Sequence, residues 1–301
     1  MNPPTAQLPA SNFLTGEELD RDELLGLLDR AEELKRGRTQ GEGRDSLAGR
    51  SVALIFEKPS TRTRVSFEVG VAELGATPIV LRADELQLTR GESIADTARI
   101  LSGYLHGIVI RSGSEERVRG LAEGATVPVI NGLTPGHHPC QALADLLTLK
   151  ERFGGLEGLR LAYVGDGNNV ARSLAILGRI AGVEVVIASP DGYRIEDGLA
   201  ELTDDARAAA AGADAIYTDV WVSMGDEEEA RRRRGDLAPY QLSDELLDAG
   251  SDRVIALHCL PAHPGEEITP EVLYGERQAI WDQAENRLHA QKALLERLLS
   301  A

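Results

Sequence analysis

Eight short, nearly continuous apolar runs, separated by longer amphipathic stretches, constrain this chain more than any other feature. Val52–Phe56, Pro78–Leu81, Gly107–Ile110 and Val127–Ile130 form one set; Leu159–Val164, Glu184–Ala188, Ala215–Tyr217 and Val254–Leu257 form a second. Runs of this kind do not alternate apolar with polar, so they read as strands buried on both faces, as in parallel sheets. Between them Thr61–Leu74, Ser93–Leu101, Gln141–Arg152, Val170–Ala181 and Ser243–Ala249 carry helical periodicity. Strand, helix and strand in repetition builds βαβ units. Two sets of four strands in 301 residues predict an α/β chain of two doubly wound parallel-sheet domains joined by helices. The expected domains are residues 1–137 and 138–284, with a last helix over residues 285–301 packing back on the first. An opening helix is expected from the capping-box pattern Thr15-Gly16-Glu17-Glu18, followed by Leu24, Leu27, Leu28, Ala31 and Leu34 at helical spacing.

Charge and composition remove several function classes. The chain has 49 Asp and Glu against 32 Lys and Arg, a net charge of −17, which opposes nucleic-acid binding. No apolar stretch approaches the ~18 residues of a membrane span, and residues 1–10 lack the basic and apolar regions of a secretory signal. Two cysteines, Cys140 and Cys259, suit a reducing compartment, so a cytoplasmic location is expected. Lys35, Lys58, Lys150 and Lys292 are the four lysines. Such scarcity fits either a salt-rich cytoplasm or a bias towards arginine codons.

Open parallel sheets place ligands at the carboxyl ends of their strands, so the residues after each run carry the functional reading. After Phe56 comes Glu57-Lys58-Pro59-Ser60-Thr61-Arg62-Thr63-Arg64 and then a helix. Helix N-terminal amides, two guanidiniums and several hydroxyls make an anion site, despite the acidic chain around it. Arg111 follows the third strand. The loop Asn131-Gly132-Leu133-Thr134-Pro135-Gly136-His137-His138-Pro139-Cys140-Gln141 follows the fourth, with Pro139 suited to a first helical position. In the second half, Gly165-Asp166-Gly167-Asn168-Asn169-Val170 resembles a dinucleotide turn but lacks the third glycine, so no nucleotide cofactor is expected. The turn can instead present Asn168 or Asn169 to a small ligand. Tyr217-Thr218-Asp219-Val220-Trp221-Val222-Ser223-Met224-Gly225 supplies a carboxylate, and Cys259 beside His258 reads as a tuned thiol. The cysteines and histidines lack the spacing of a structural zinc site, so no metal is expected. The charge run Glu227–Arg234 reads as a solvated helix carrying opposite charges at i,i+4.

Assembled in order, these segments resemble the aspartate/ornithine carbamoyltransferase family over nearly the whole chain. Ser60-Thr61-Arg62-Thr63-Arg64 and His138-Pro139-Cys140-Gln141 match motifs of the whole family. Asp219 with Ser223-Met224-Gly225, and His258-Cys259-Leu260-Pro261, match its ornithine-using branch. The resemblance implies transfer of a carbamoyl group from carbamoyl phosphate to the δ-amine of L-ornithine, in arginine metabolism, without a cofactor. It implies that residues 1–137 form the carbamoyl-phosphate domain, with contacts from Ser60, Thr61, Arg62, Thr63, Arg64 and Arg111, and from His138 at the start of the second domain. Gln141, Leu260 through its backbone, and Arg287 join them. It implies ornithine contacts at Asn169, Asp219, Ser223, Met224 and Cys259, within the second domain. Arg62, Arg111, His138 and Cys259 are the expected catalytic residues, with Cys259 binding and deprotonating the amine rather than attacking. Gln87 is expected to reach a neighbouring subunit's site, which implies a homotrimer or a multiple of trimers. Two other readings remain open: a transcarbamylase for a related amine such as putrescine or an acylated ornithine, and a non-catalytic binder of carbamoyl phosphate or an amino acid.

Overall fold

The computed structural model describes residues 12–82, 92–222 and 227–300. The chain divides into two compact units. One comprises Met1–Glu18, Asp29–Cys140 and Leu288–Ala301; the other comprises Leu19–Leu28 and Gln141–Arg287. The chain passes between them four times, once at Glu18 and then within three helices: α1 (Arg21–Arg36), α5 (Pro139–Phe153) and α11 (Ile280–Leu299).

In the first unit, β1 (Ser51–Phe56), β2 (Thr77–Arg82), β3 (Gly107–Arg111) and β4 (Val129–Leu133) form a parallel sheet of order β2-β1-β3-β4. Helices α2 (Thr61–Glu73), α3 (Ile94–Tyr104) and α4 (Glu115–Gly124) connect the strands. Ala53, Ile55, Ile108, Ile110, Val118, Leu121 and Val129 are buried together, as continuous apolar strands require. Phe13 covers the β4 edge, exchanging backbone hydrogen bonds with Val129 and Asn131 at 2.9 and 2.8 Å.

In the second unit, β5 (Arg160–Val164), β6 (Glu184–Ala188), β7 (Glu201–Thr203), β8 (Ala215–Thr218) and β9 (Ile255–His258) form a parallel sheet of order β7-β6-β5-β8-β9. Its connections include α6 (Asn169–Ala181), α7 (Ala206–Ala210), α8 (Glu227–Leu237), α9 (Asp244–Leu247) and α10 (Pro270–Leu273). Ala162, Val164, Val186, Ile216 and Ala256 anchor this core.

The expected fold class holds, and each of the eight apolar runs overlaps a strand, Val127–Ile130 with only its last two residues. The ninth strand, β7, has one apolar residue in three and sits at an edge, so it leaves no apolar run to read. The expected opening helix starts later than its signal. Thr15–Glu18 forms a turn in which the Glu18 carboxylate accepts from the amides of Thr15 and Gly16. The helix begins after Asp20, where Asp20 and Glu23 accept from each other's amides at 2.8 and 3.0 Å. A second reciprocal box, five residues on, wins because it is followed by the apolar spacing that can be buried.

Candidate active site

Each sheet order reverses direction once, and the functional side chains gather at those reversals. In the first sheet, β1 connects outward to β2 while β3 leaves on its other side, so the ends of β1 and β3 border the crevice where ligands bind in such folds. Ser60, the residue before α2, stands after β1; Arg111 ends β3. The Arg111 guanidinium donates to the Ser60 hydroxyl at 3.0 Å and to the Thr63 hydroxyl at 3.4 Å. The Ser60 side chain makes no bond back to the helix, so it leaves the capping of the first-turn amides to other groups. A helix N-terminus beside an anchored guanidinium has the chemistry to hold an anion. Thr61 and Arg62 are exposed on the same turn, and Thr63 is buried. Arg64 is set apart, paired with Glu68 one turn along the helix at 3.3 Å.

Glu57, which no motif singled out, organises this end of the sheet. Its carboxylate accepts from the Ser112 hydroxyl at 2.7 Å, from the Gly113 amide at 3.0 Å and from Arg117. Burial works to raise its pKa, but these donors outweigh it and hold Glu57 below the usual carboxylate range. His138 is buried just before α5, which begins at Pro139 as its residue type predicts. His137 belongs to the loop's own support: its Nδ1 meets Glu115 at 2.7 Å, and its amide donates to Thr134.

In the second sheet the reversal lies between β5 and β8. Asn168 follows β5 and Asp219 follows β8, while Cys259 follows the adjacent β9. Asn168 caps α6, accepting from the amides of Val170 and Ala171. Its side-chain nitrogen donates to Asp219 Oδ2 at 2.7 Å, and the Cys259 thiol donates to Asp219 Oδ1 at 2.8 Å. The sequence left Asn168 and Asn169 as alternatives before the resemblance favoured Asn169. Asn168 is committed to the cap and the carboxylate, and Asn169 opens the helix beside it. The glycines of this turn answer to packing: a Cβ at Gly167 would lie 2.5 Å from the Tyr193 carbonyl oxygen.

Burial and the Asp219 carboxylate push the Cys259 thiol well above its ordinary value. A thiol in that state donates a hydrogen bond and takes no proton. That direction runs against a tuned thiol and against Cys259 as the group that deprotonates an amine. At pH 7.5, alkylation of half-buried Cys259 by iodoacetamide is expected to run at least about tenfold slower than that of a free thiol. The Asp219→Asn variant should be faster; mass spectrometry of the Cys259 peptide measures both.

His258 does not serve the thiol beside it. Its Nε2 meets Glu267 at 3.1 Å, both side chains being buried, and its Nδ1 accepts from the Leu260 amide at 2.8 Å. Burial works to raise Glu267, yet His258 and the His263 amide outweigh it and keep the carboxyl below its usual range. The pair holds Leu260 at φ 60°, the one positive-φ residue other than glycine among those described, before a cis peptide to Pro261. On α5 and α11, Gln141 and Arg287 are both buried, and Arg287 donates to the Gln141 side-chain oxygen.

Two groups of side chains among the described residues have donor types that suit a cation: Asp219, His258 and Cys259, and His263, Glu266 and Glu267. In the first, both His258 nitrogens are already bonded; in the second, Glu266 pairs with Arg234 at 3.0 Å and Glu267 with His258. The charge run on α8 is less solvated than its pattern suggests. Arg233 pairs with Asp166, donates to the Trp221 carbonyl at 2.6 Å and lies over the Tyr193 ring. Gln87, Ser223 and Met224 lie outside the described residues.

Residues 11–151 match the carbamoyl-P binding domain of the aspartate/ornithine carbamoyltransferase family, and residues 157–298 match its Asp/Orn binding domain. The ornithine carbamoyltransferase of Acidothermus cellulolyticus is 53% identical over 304 residues, covering 96% of this chain and 97% of that protein. Crystallographic neighbours include the ornithine carbamoyltransferase of Pyrococcus furiosus, at TM-score 0.93 and 45% identity over 98% of this chain and 99% of that one. The enzyme of that name from Thermus thermophilus gives TM-score 0.89 and 45% identity, over 97% and 99%. The chain belongs to the aspartate/ornithine carbamoyltransferase family.

Proposed function

We propose that this chain is an enzyme that transfers the carbamoyl group of carbamoyl phosphate to the δ-amine of L-ornithine, releasing L-citrulline and phosphate. The observation that carries the reading is the Arg111 guanidinium held by Ser60 and Thr63 at the N-terminus of α2, in a chain matched throughout by this family. Thr61, Arg62 and the first-turn amides of α2 take the phosphate. Arg111, Thr63 and His138 stabilise the oxyanion that forms when the neutral amine attacks the carbonyl carbon. Gln141, Arg287 and the Leu260 backbone hold the carbamoyl end. Asp219, with Asn168 and Asn169 beside it, takes the amino acid, Ser223 and Met224 completing that subsite. The C–N bond forms, the C–O bond to phosphate breaks, and the proton shed by the attacking nitrogen leaves with the phosphate. Both substrates are pre-positioned, which supplies much of the acceleration.

Cys259, as a protonated thiol, donates to Asp219 and fixes the carboxylate's orientation. Arg64 acts at longer range, through its charge. We also propose a cytoplasmic enzyme of arginine biosynthesis, assembled as a cyclic trimer in which Gln87 completes a neighbour's site. Exposed apolar side chains on the first unit, Val65, Ile79, Ile100 and Tyr104, favour such association. Light scattering after gel filtration tests the assembly: a mass of three chains is expected, and a monomer that turns over would overturn it.

A colorimetric citrulline assay with purified protein tests the reaction. Ornithine should be carbamoylated at least about a hundredfold faster than putrescine, because a carboxylate-centred subsite selects a charged amino acid. No citrulline above background, or equal rates with putrescine, would overturn the reading.

A further inference from the structure

One turn after Gln141 on α5 lies a carboxylate that none of the expected roles uses. Asp145 is fully buried. Its Oδ1 accepts from the side-chain nitrogen of Gln141 at 2.8 Å, that of Gln283 at 2.7 Å and the Tyr217 hydroxyl at 3.4 Å. Its Oδ2 has no hydrogen-bond partner. Each donor leads to a different part of the second unit's site. The Gln141 side-chain oxygen accepts from Arg287, and the Gln283 side-chain oxygen accepts from the His258 amide at 2.9 Å, one residue before Cys259. Tyr217 stands two residues before Asp219.

Stability does not account for a carboxylate here. Burial raises Asp145 to about 7, against the hydrogen bonds of Gln141, Gln283 and Tyr217 and the charge of Arg287. A carboxyl whose folded-state pKa is raised contributes stability that is complete below its unfolded value, near 4, and is lost as pH rises through the folded one. Above pH 7 the ionised group is therefore a cost, and an amide of the same shape would serve the fold at least as well. What an ionised carboxylate supplies is acceptors on both oxygens, whichever way the group turns, whereas a neutral acid or an amide can turn a donor towards either glutamine. The carboxylate compels both glutamine amides to turn their nitrogens inward, so that the oxygen of Gln141 faces Arg287 and the oxygen of Gln283 faces the His258 amide.

We propose that Asp145 is a positioning residue for carbamoyl transfer, fixing the amide orientations of Gln141 and Gln283 and through them Arg287 and the end of β9. The inference rests on the proposed transferase reading. Among the described residues, the charged and titratable groups coupled to Asp145 include Arg287 from α11, Tyr217 from β8, Tyr163 from β5 and Cys259 after β9. The two phenols and the thiol are held well above their ordinary values and stay neutral. Asp145 is thus the group among them whose charge changes near neutrality.

The test compares the full-length Asp145→Asn enzyme with the parent between pH 6 and pH 8.5, with carbamoyl phosphate varied at saturating ornithine. An amide at this position can present a donor, so kcat/KM for carbamoyl phosphate should fall about tenfold at pH 8. The melting temperature at pH 8 should not fall. The ratio of parent to variant cancels titrations that both share, and it should shrink towards unity at pH 6 as the parent's own Asp145 becomes neutral. In a cycle with Gln141→Ala, the double variant should lose little more than Gln141→Ala alone. Parental kcat/KM at pH 8, a ratio independent of pH, or losses that multiply in the cycle would each overturn the proposal. A parent enzyme without citrulline formation would instead remove the transferase reading beneath it.

Discussion

Replacing Arg111 with methionine should lower kcat by about 10²–10³, with the melting temperature within a few degrees of the parent. Arg111 spans the reversal point of the first sheet, its guanidinium touching hydroxyls on both Ser60 and Thr63. It meets charge as it develops on the carbamoyl oxygen, so its loss is felt in the transition state more than in the bound substrate. Methionine keeps much of the stem's length and packing. Steady-state citrulline kinetics with each substrate varied in turn will show the effect: a fall in kcat and in kcat/KM for carbamoyl phosphate. Near-parental turnover would remove Arg111 from the chemistry. Lysine should rescue poorly, because a point charge on a flexible stem does not reproduce a fork that bonds two hydroxyls.

Asp219→Asn should be as damaging, through the other substrate. The Asp219 carboxylate is bonded at one oxygen by Asn168 and at the other by Cys259, so it is held in one orientation at the second sheet's reversal point. Removing one partner from a desolvated charged contact costs about 2–5 kcal/mol, and kcat/KM for ornithine should fall by about 10²–10³. KM for carbamoyl phosphate should move less than roughly threefold. Because the Asp219 charge is part of what suppresses ionisation of Cys259, the same variant should make that thiol more reactive. A variant that loses activity equally towards both substrates, with an unchanged thiol, would contradict the assignment of Asp219 to the amino-acid subsite.

Much of the candidate site was legible because its residues sit where chain chemistry is local. Ser60 to Thr63 follow a strand and open a helix, so proline, hydroxyls and guanidiniums within a few residues already describe an anion site. Pro139 marked the start of α5 correctly, since a first helical position has no use for an amide hydrogen. The Gly165–Asn168 turn was legible as a turn, though Gly167 answers to the close approach of Tyr193 and Gly165 to a positive φ beside Trp221. What escaped were residues whose value lies in distant partners. No motif marked Glu57, yet it gathers Ser112, Gly113 and Arg117. Glu267 lies in a polar loop but is buried against His258. Arg233 is one of four consecutive arginines, and nothing in that run marks it as the one that turns inward.

The sequence by itself determined eight of the nine strands, the parallel sheets and the family, because those follow from periodicity, strand-end chemistry and ordered motifs along the chain. It could not decide which strand ends become neighbours. The orders β2-β1-β3-β4 and β7-β6-β5-β8-β9 bring Ser60 to Arg111, 51 positions apart, and Asn168 to Asp219, also 51 positions apart. Tertiary structure likewise decided the surroundings of the ionisable groups. Cys259 beside His258 reads as a reactive pair until the fold turns the histidine to Glu267 and Leu260 and sets the thiol against a buried carboxylate. Neighbours in the chain describe what a residue is able to do, and only desolvation and long-range partners fix which form it takes.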